Sequence, residues 1–334
     1  MIGIGVLGAG FMGTPHAHAL ADIADVRVVG IFSRSADKAT ALAREVGAEP
    51  FSDPMKLATD PRVDAVSVTL PTQVHREFVV AALEAGKHVL VEKPMAVNVA
   101  ECDDMIAAAQ RNNRVLMVAH VLRYWPEYVA LVQYVKSGAL GKPLIATAKR
   151  LAGPPRWAEY YLHPEWSGGG VVDMQIHDVD TLNWLFGAPK TVYARGQRSP
   201  ETGGWDVALT LVDYGDVKGF AEASVMQAPE YPFTMGLSVL CERGSVEFSF
   251  RAGGVQVDSR DQAGTSLMIY EAGKEPRALA FTPGDGYTNE VRAFVESVRM
   301  GQPPADGTGE QGRLALATAL AARRSLETGE VVRF

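Results

Sequence analysis

The stretch GIGVLGAGFMGTPHAHAL, Gly3–Leu20, runs from an apolar, strand-like segment through a glycine turn into a helical pattern. Gly8, Gly10 and Gly13 fall in the order GxGxxG, and each answers a separate steric demand. The first permits a tight turn, the second lets the backbone approach a pyrophosphate, and the third allows the helix to pack closely on the strand. A ligand-free glycine turn is the bland alternative. The strand before the turn and the helix after it favour a dinucleotide site, with Phe11 and Met12 lying inside the turn.

Outward from this point, short β-branched runs alternate with helical patterns as far as about His120, the rhythm of βαβ units. Strands are expected at Ile2–Leu7, Val26–Phe32, Ala65–Val68, His88–Val91 and Val115–Ala119, and helices at Thr72–Ala85 and Ala100–Arg111. Gly86 stands where a helix C-cap belongs. A doubly wound parallel sheet follows, with ligands at the carboxyl ends of its strands.

Beyond Tyr124 the rhythm changes. A helix over Glu127–Ser137 ends at Gly138. PLIATAKRL, TVYARGQ, DVALTLVDYG, VKGFAEASV, TMGLSVLCE and GSVEFSF then alternate with a period of two between glycine-containing turns. That pattern predicts a large, open, mostly antiparallel sheet, and closing helices are expected at Thr288–Met300 and Gly312–Glu327. The fold class is therefore α/β: a Rossmann domain over residues 1–122, then an α+β domain over 123–334 for substrate binding and oligomerisation.

Composition narrows the function classes. The 334 residues are 47% hydrophobic and 21% charged, ordinary for a packed globular chain. The formal charge of −7 comes with no run of Lys or Arg to track a phosphate backbone, so nucleic acid is not expected as a partner. Cys102 and Cys241 form neither a disulfide framework nor a CxxC metal site. No apolar run approaches the ~20 residues of a membrane span and no signal sequence is visible, so a cytoplasmic location is expected.

The second strand candidate ends in Ser33-Arg34, where an NAD site usually carries an acid for the ribose 2′-OH. With that acid missing, Ser33, Arg34 and Lys38 suit the extra phosphate of NADP, which is favoured over NAD. Arg34 stacking on adenine or lying solvated is the alternative reading.

Four motifs in order, GAGFMG, TLPTQVH (Thr69–His75), EKP (Glu92–Pro94) and GGGVVDMQIHDVD (Gly168–Asp180), carry a resemblance. Over nearly its whole length the chain resembles the glucose–fructose oxidoreductase, inositol dehydrogenase and rhizopine-catabolism (Gfo/Idh/MocA) family. The resemblance implies that Lys93, Asp173 and His177 match the family's catalytic Lys, Asp and His. It implies a secondary alcohol on a sugar, cyclitol or related polyol as substrate, and a homodimer or homotetramer built through the second sheet. Some relatives resemble glycosidases that retain NAD, and others non-catalytic regulators.

The residue chemistry runs parallel to this. On one helix, Asp173 and His177 at i, i+4 would share a face with Asp180, and a carboxylate there would set the tautomer of His177. Lys93 beside an oxidised nicotinamide would have its ammonium disfavoured. Taken alone, a Glu-Lys pair at a strand end is more often a solvated salt bridge, and a helix-face histidine more often structural. A metal site from Asp173, His177, Asp180 and His163 is the weaker reading, and none is expected.

Pro71 and His75 are assigned to the nicotinamide and ribose, alongside Glu92, Lys93 and Pro94; His75 as a helix cap is the alternative. A cis Pro94 is left open by sequence. Arg123, Trp157, Trp166 and Tyr287 are the substrate candidates, and Gly153–Trp166, with Arg156 and His163, is an irregular aromatic segment read as a lid, with aromatics that merely pin the loop to the sheet as the equal alternative. Gln175, where relatives often carry glycine, is read as making the pocket smaller or more polar. Met226, Val239 and Phe248 are read as apolar residues needing a second cover.

Overall fold

Six parallel strands make the first sheet: β1 Ile2–Leu7, β2 Val26–Phe32, β3 Glu49–Phe51, β4 Ala65–Val68, β5 His88–Glu92 and β6 Leu116–Ala119, in the order β3-β2-β1-β4-β5-β6. The computed structural model describes residues 1–155, 159–255 and 264–334. The inner strands are buried at nearly every position, as a parallel sheet covered on both faces requires. The order reverses between β1 and β4, so a ligand crevice opens at their carboxyl ends.

The chain divides into two units: Met1–Trp125 with Gly284–Arg313, and Pro126–Pro283 with Leu314–Phe334. A single cut after residue 122 does not anticipate the return of Gly284–Arg313 to the first unit. Its cause is apolar burial. Val291, Phe294 and Val295, on the helix Gly286–Met300, join Ile4, Val6, Leu20, Leu90 and Met117 in one buried cluster.

Among the described residues, the second unit holds nine strands: β7 Pro143–Leu151, β8 Thr191–Arg198, β9 Trp205–Asp213, β10 Lys218–Ser224, β11 Thr234–Cys241, β12 Gly244–Arg251, β13 Gly264–Glu271, β14 Arg277–Ala278 and β15 Val332–Arg333. Their order is β14-β13-β12-β11-β7-β10-β9-β8-β15, and only β7 and β10 pair in parallel. The helices Pro126–Lys136 and Ile176–Phe186 pack on one face, with Tyr128 edge-on to Phe248 at 5.0 Å.

The phase of the alternation differs from the sequence reading. Val239 and Phe248 are buried under these helices, while Met226 lies exposed beyond the end of β10. The other face carries Ile145, Leu209, Leu211, Leu240 and Tyr270 exposed. In the strand register Leu240 stands beside Ile145, and Leu211 beside Phe220, so these form rows across one face.

Candidate active site

The glycine turn fits a dinucleotide. Gly8 sits at φ +128°, and a Cβ there would fall 2.4 Å from Thr69 Oγ1; a Cβ on Gly13 would fall 2.0 Å from the Gly8 carbonyl oxygen. A Cβ on Gly10 would meet nothing within 4 Å, so the backbone there faces open space, where a pyrophosphate needs room. The helix Gly13–Ala21 begins at Met12 with no side-chain cap, which leaves its N-terminus suited to an anion. Phe11 is exposed beside it.

At the end of β2, Ser33 Oγ accepts the Ser35 backbone N–H at 3.3 Å, and Ser35 caps the helix Ala36–Val46. Arg34 and Lys38 are exposed. The acid in this turn, Asp37, lies on the helix and not at the strand end.

The ends of β4 and β5 are tied together by His75. Its ring is 1% exposed, with Nε2 2.7 Å from the Leu70 carbonyl and Nδ1 3.2 Å from the carbonyls of Pro94 and Met95. Burial pushes its pKa down, against the carbonyls that favour a proton. The ring thus braces the segments on either side rather than standing on a surface. The Lys93–Pro94 peptide is cis, and Pro71 precedes a short 3-10 turn, Thr72–Val74, that leads into the helix His75–Glu84.

Behind Lys93 lies a buried polar cluster. The Lys93 backbone N–H donates to Glu92 Oε2 at 3.0 Å, and Glu92 Oε1 lies 3.3 Å from His16 Nε2. His16 Nδ1 is 2.9 Å from Ser67 Oγ. Glu290 is also buried, and the charge that acts on it is Glu92.

In the second unit, Asp173 ends the short helix Gly169–Asp173, and His177 lies in the first turn of a separate helix, Ile176–Phe186. The expected single helix is broken at Met174-Gln175, where the N–H groups of both residues share the Gly170 carbonyl. Asp173 and His177 thus stand on either side of an interruption, with Met174 and Gln175 themselves in right-handed helical backbone. Asp173 and Asp180 are buried and His177 is half-buried.

Gln175 lies at the break, and its side chain is buried toward the sheet. Its amide N–H groups donate to the carbonyls of Ala208 and Ala221, and its oxygen accepts the Thr210 hydroxyl at 2.7 Å, all within a buried site. Beside His177, Asp178 accepts a two-pronged pair of hydrogen bonds from Arg150, each 3.1 Å. Burial opposes the guanidinium charge, and the Asp178 carboxylate more than restores it.

The substrate candidates belong to both units. Arg123 is 3% exposed, with Nη1 3.3 Å from Asp306 Oδ1, inside the first unit. Tyr287 meets Trp125 edge-on at 6.2 Å in the same unit. Trp166, in the helical turn Pro164–Ser167 of the second unit, stacks at 3.9 Å on His163, which separates that turn from Glu159–Leu162. Arg156 and Trp157 lie outside the described residues. Among the described residues, no group of three or more His, Cys, Asp or Glu is placed to hold a metal ion.

Sequence reasoning passed over His16, Glu290 and the Arg150–Asp178 pair. His16 stands in the buried stripe Gly13, His16, Ala17, Leu20, and Glu290 in the stripe Glu290, Val291, Phe294, Ser297. A polar residue at an apolar stripe position was the available signal.

Fold and glycine turn together define the class, a dinucleotide-binding Rossmann protein carrying an open-sheet unit. The chain belongs to the Gfo/Idh/MocA oxidoreductase family. Residues 2–120 match the family model described as an oxidoreductase family with NAD-binding Rossmann fold, and residues 128–247 match the GFO/IDH/MocA C-terminal domain. The chain is 31% identical to myo-inositol 2-dehydrogenase of Thermotoga maritima, over 97% of this chain and 96% of that one. It is 30% identical to 1,5-anhydro-D-fructose reductase of Ensifer adhaerens, over 91% and 90%. A probable dehydrogenase of Thermotoga maritima superposes with a TM-score of 0.82 at 28% identity, covering 99% of each chain. The protein is thus an oxidoreductase of CH–OH groups with an NAD-binding Rossmann fold. Among the described residues, no helix is long and apolar enough to cross a membrane.

Proposed function

We propose that the protein interconverts a secondary alcohol and a ketone on a sugar, cyclitol or related polyol, with Lys93 and His177 handling the hydroxyl. The nicotinamide, when bound, accepts the hydride from the carbon that bears the hydroxyl. Lys93 supplies a cation to the oxygen as negative charge develops on it, and His177 takes the proton that the hydroxyl releases. Asp173 orients His177 as a buried carboxylate. The products are the ketone, the reduced nicotinamide and one proton.

The observation that carries this reading is the placement of Lys93 directly after β5, at the carboxyl edge of the sheet whose β1 end bears the glycine turn. Ligands of open α/β sheets bind at that edge. Arg34 and Lys38, with no acid at the end of β2, support NADP over NAD. The exposed apolar rows of the second sheet support a homodimer or homotetramer formed through that face.

A panel of sugars, cyclitols and dihydrodiols, offered with each oxidised cofactor and followed by the absorbance of reduced nicotinamide, tests the assignment. Reduction dependent on one polyol class is expected. Complete silence across the panel, with cofactor shown to bind, would refute it.

A further inference from the structure

We propose that Glu290 is a positioning residue for Lys93: a neutral carboxyl that donates its O–H hydrogen to Glu92 and so fixes the carboxylate that holds the Lys93 backbone. The inference rests on the catalytic role given to Lys93 above, but its first test does not.

Glu290 is 0% exposed, and neither of its oxygens has a hydrogen-bond partner; Glu92 Oε1 likewise lacks one within hydrogen-bond geometry. One hydrogen shared between Glu290 and Glu92 would give a partner to two of these three buried carboxyl oxygens. The Glu92 charge acts on Glu290, and two such buried carboxylates cannot both ionise without a large cost, so one proton held by the pair answers both the charge and the missing partners. Glu290 is the holder. Its helix neighbours Val291, Phe294 and Val295 are apolar, whereas Glu92 has His16 beside it and the Lys93 N–H on its other oxygen. Burial and the Glu92 charge both push the Glu290 carboxyl well above the ordinary range.

The charged and titratable groups around the pair are His16 from the helix Gly13–Ala21, His75 from the helix His75–Glu84, and Lys93 itself. The consequence is a single negative charge on the pair. Glu92 keeps a fixed rotamer, and the backbone that launches the Lys93 side chain is fixed with it. Losing the O–H donor frees Glu92 to turn, and a misplacement near 1 Å costs on the order of 10²-fold in rate.

Infrared spectra of the whole protein at about pH 8, far above the ordinary Glu value of about 4.3, read the protonation directly. The carbonyl stretch of a neutral carboxylic acid is expected in the wild type and absent from Glu290→Gln. Its absence from the wild type would overturn the proposal whether or not Lys93 is catalytic.

Kinetics then test positioning. Glu290→Leu, matched in bulk but without a donor, is expected to lower kcat by about tenfold or more while KM for the cofactor stays near wild type. Glu290→Gln, whose amide still donates, is expected to recover most of kcat. Equal kcat in wild type and Glu290→Leu would overturn the role, as would a Gln variant no better than Leu.

Discussion

The Lys93 backbone N–H donates to Glu92 Oε2 across 3.0 Å, and the other oxygen of that carboxylate lies 3.3 Å from His16 Nε2. The residue proposed to act on substrate is thus anchored from inside the first unit. Glu290, with its pKa raised by burial and by Glu92, completes that interior.

Stability should report the buried acid. An unfolded glutamate releases its proton near pH 4.3, whereas folded Glu290 retains it, so the folded state binds more protons and its stability falls as pH rises above that value. The slope approaches about 1.4 kcal/mol per pH unit from this one group. Glu290→Gln removes the dependence. Its melting temperature relative to the wild type should therefore climb between mildly acidic and mildly alkaline pH, as read by calorimetry. Parallel curves for the two proteins would contradict the shift.

Breaking the Arg150–Asp178 pair should be costly. Both groups are buried and joined by two hydrogen bonds of 3.1 Å, so removing one leaves an uncompensated charge in the core of the second unit. Arg150→Ala or Asp178→Asn is expected to cost about 3–5 kcal/mol in denaturant unfolding. Arg150→Met with Asp178→Leu should lie much closer to the wild type. A single-variant loss below about 1 kcal/mol would place the pair among inconsequential surface bridges.

Cofactor choice should respond to Arg34. Removal of its guanidinium in Arg34→Ala is expected to weaken NADP by about tenfold or more, with NAD nearly unchanged, because only NADP offers a phosphate for a charge-assisted bond. Titration by intrinsic fluorescence measures both. Equal losses would assign Arg34 to a part of the cofactor that NAD and NADP share.

The exposed rows of the second sheet should bring copies together. Leu211 and Ile145 stand 52% and 47% exposed among Leu209, Leu240 and Tyr270, an apolar face that a charge would spoil. Sedimentation at micromolar concentration should show a dimer or tetramer for the wild type and a smaller species for Leu211→Lys. A monomeric wild type would contradict the proposal.

The first unit was legible because parallel strands buried on both faces leave unbroken apolar runs, and because a glycine turn has few other uses. Glu49–Phe51 was too short to register, and its residues are not buried. Return of Gly284–Arg313 to this unit is a long-range event that no local pattern records. The alternation of the second sheet placed β7 to β12, but not β13, β14 or β15 and not the phase. Val239 and Phe248 turned inward because both faces of this sheet carry apolar residues, and alternation alone does not say which face the helices cover. Around His177 the spacing read one helix where the structure has two, because the interruption at Met174-Gln175, where Gln175 makes three hydrogen bonds to the sheet, leaves no trace in the apolar periodicity.

Turnover of Lys93→Ala and His177→Ala on a verified polyol substrate tests the proposed chemistry most directly. Each substitution should lower kcat by on the order of 10²-fold or more, the scale of lost acid–base help, with cofactor binding preserved. If both side chains serve one hydroxyl as proposed, the double variant should lose clearly less than the product of the single losses. Near-normal turnover by either single variant would contradict the assignment and leave Glu92-Lys93-Pro94 as a turn that closes a strand.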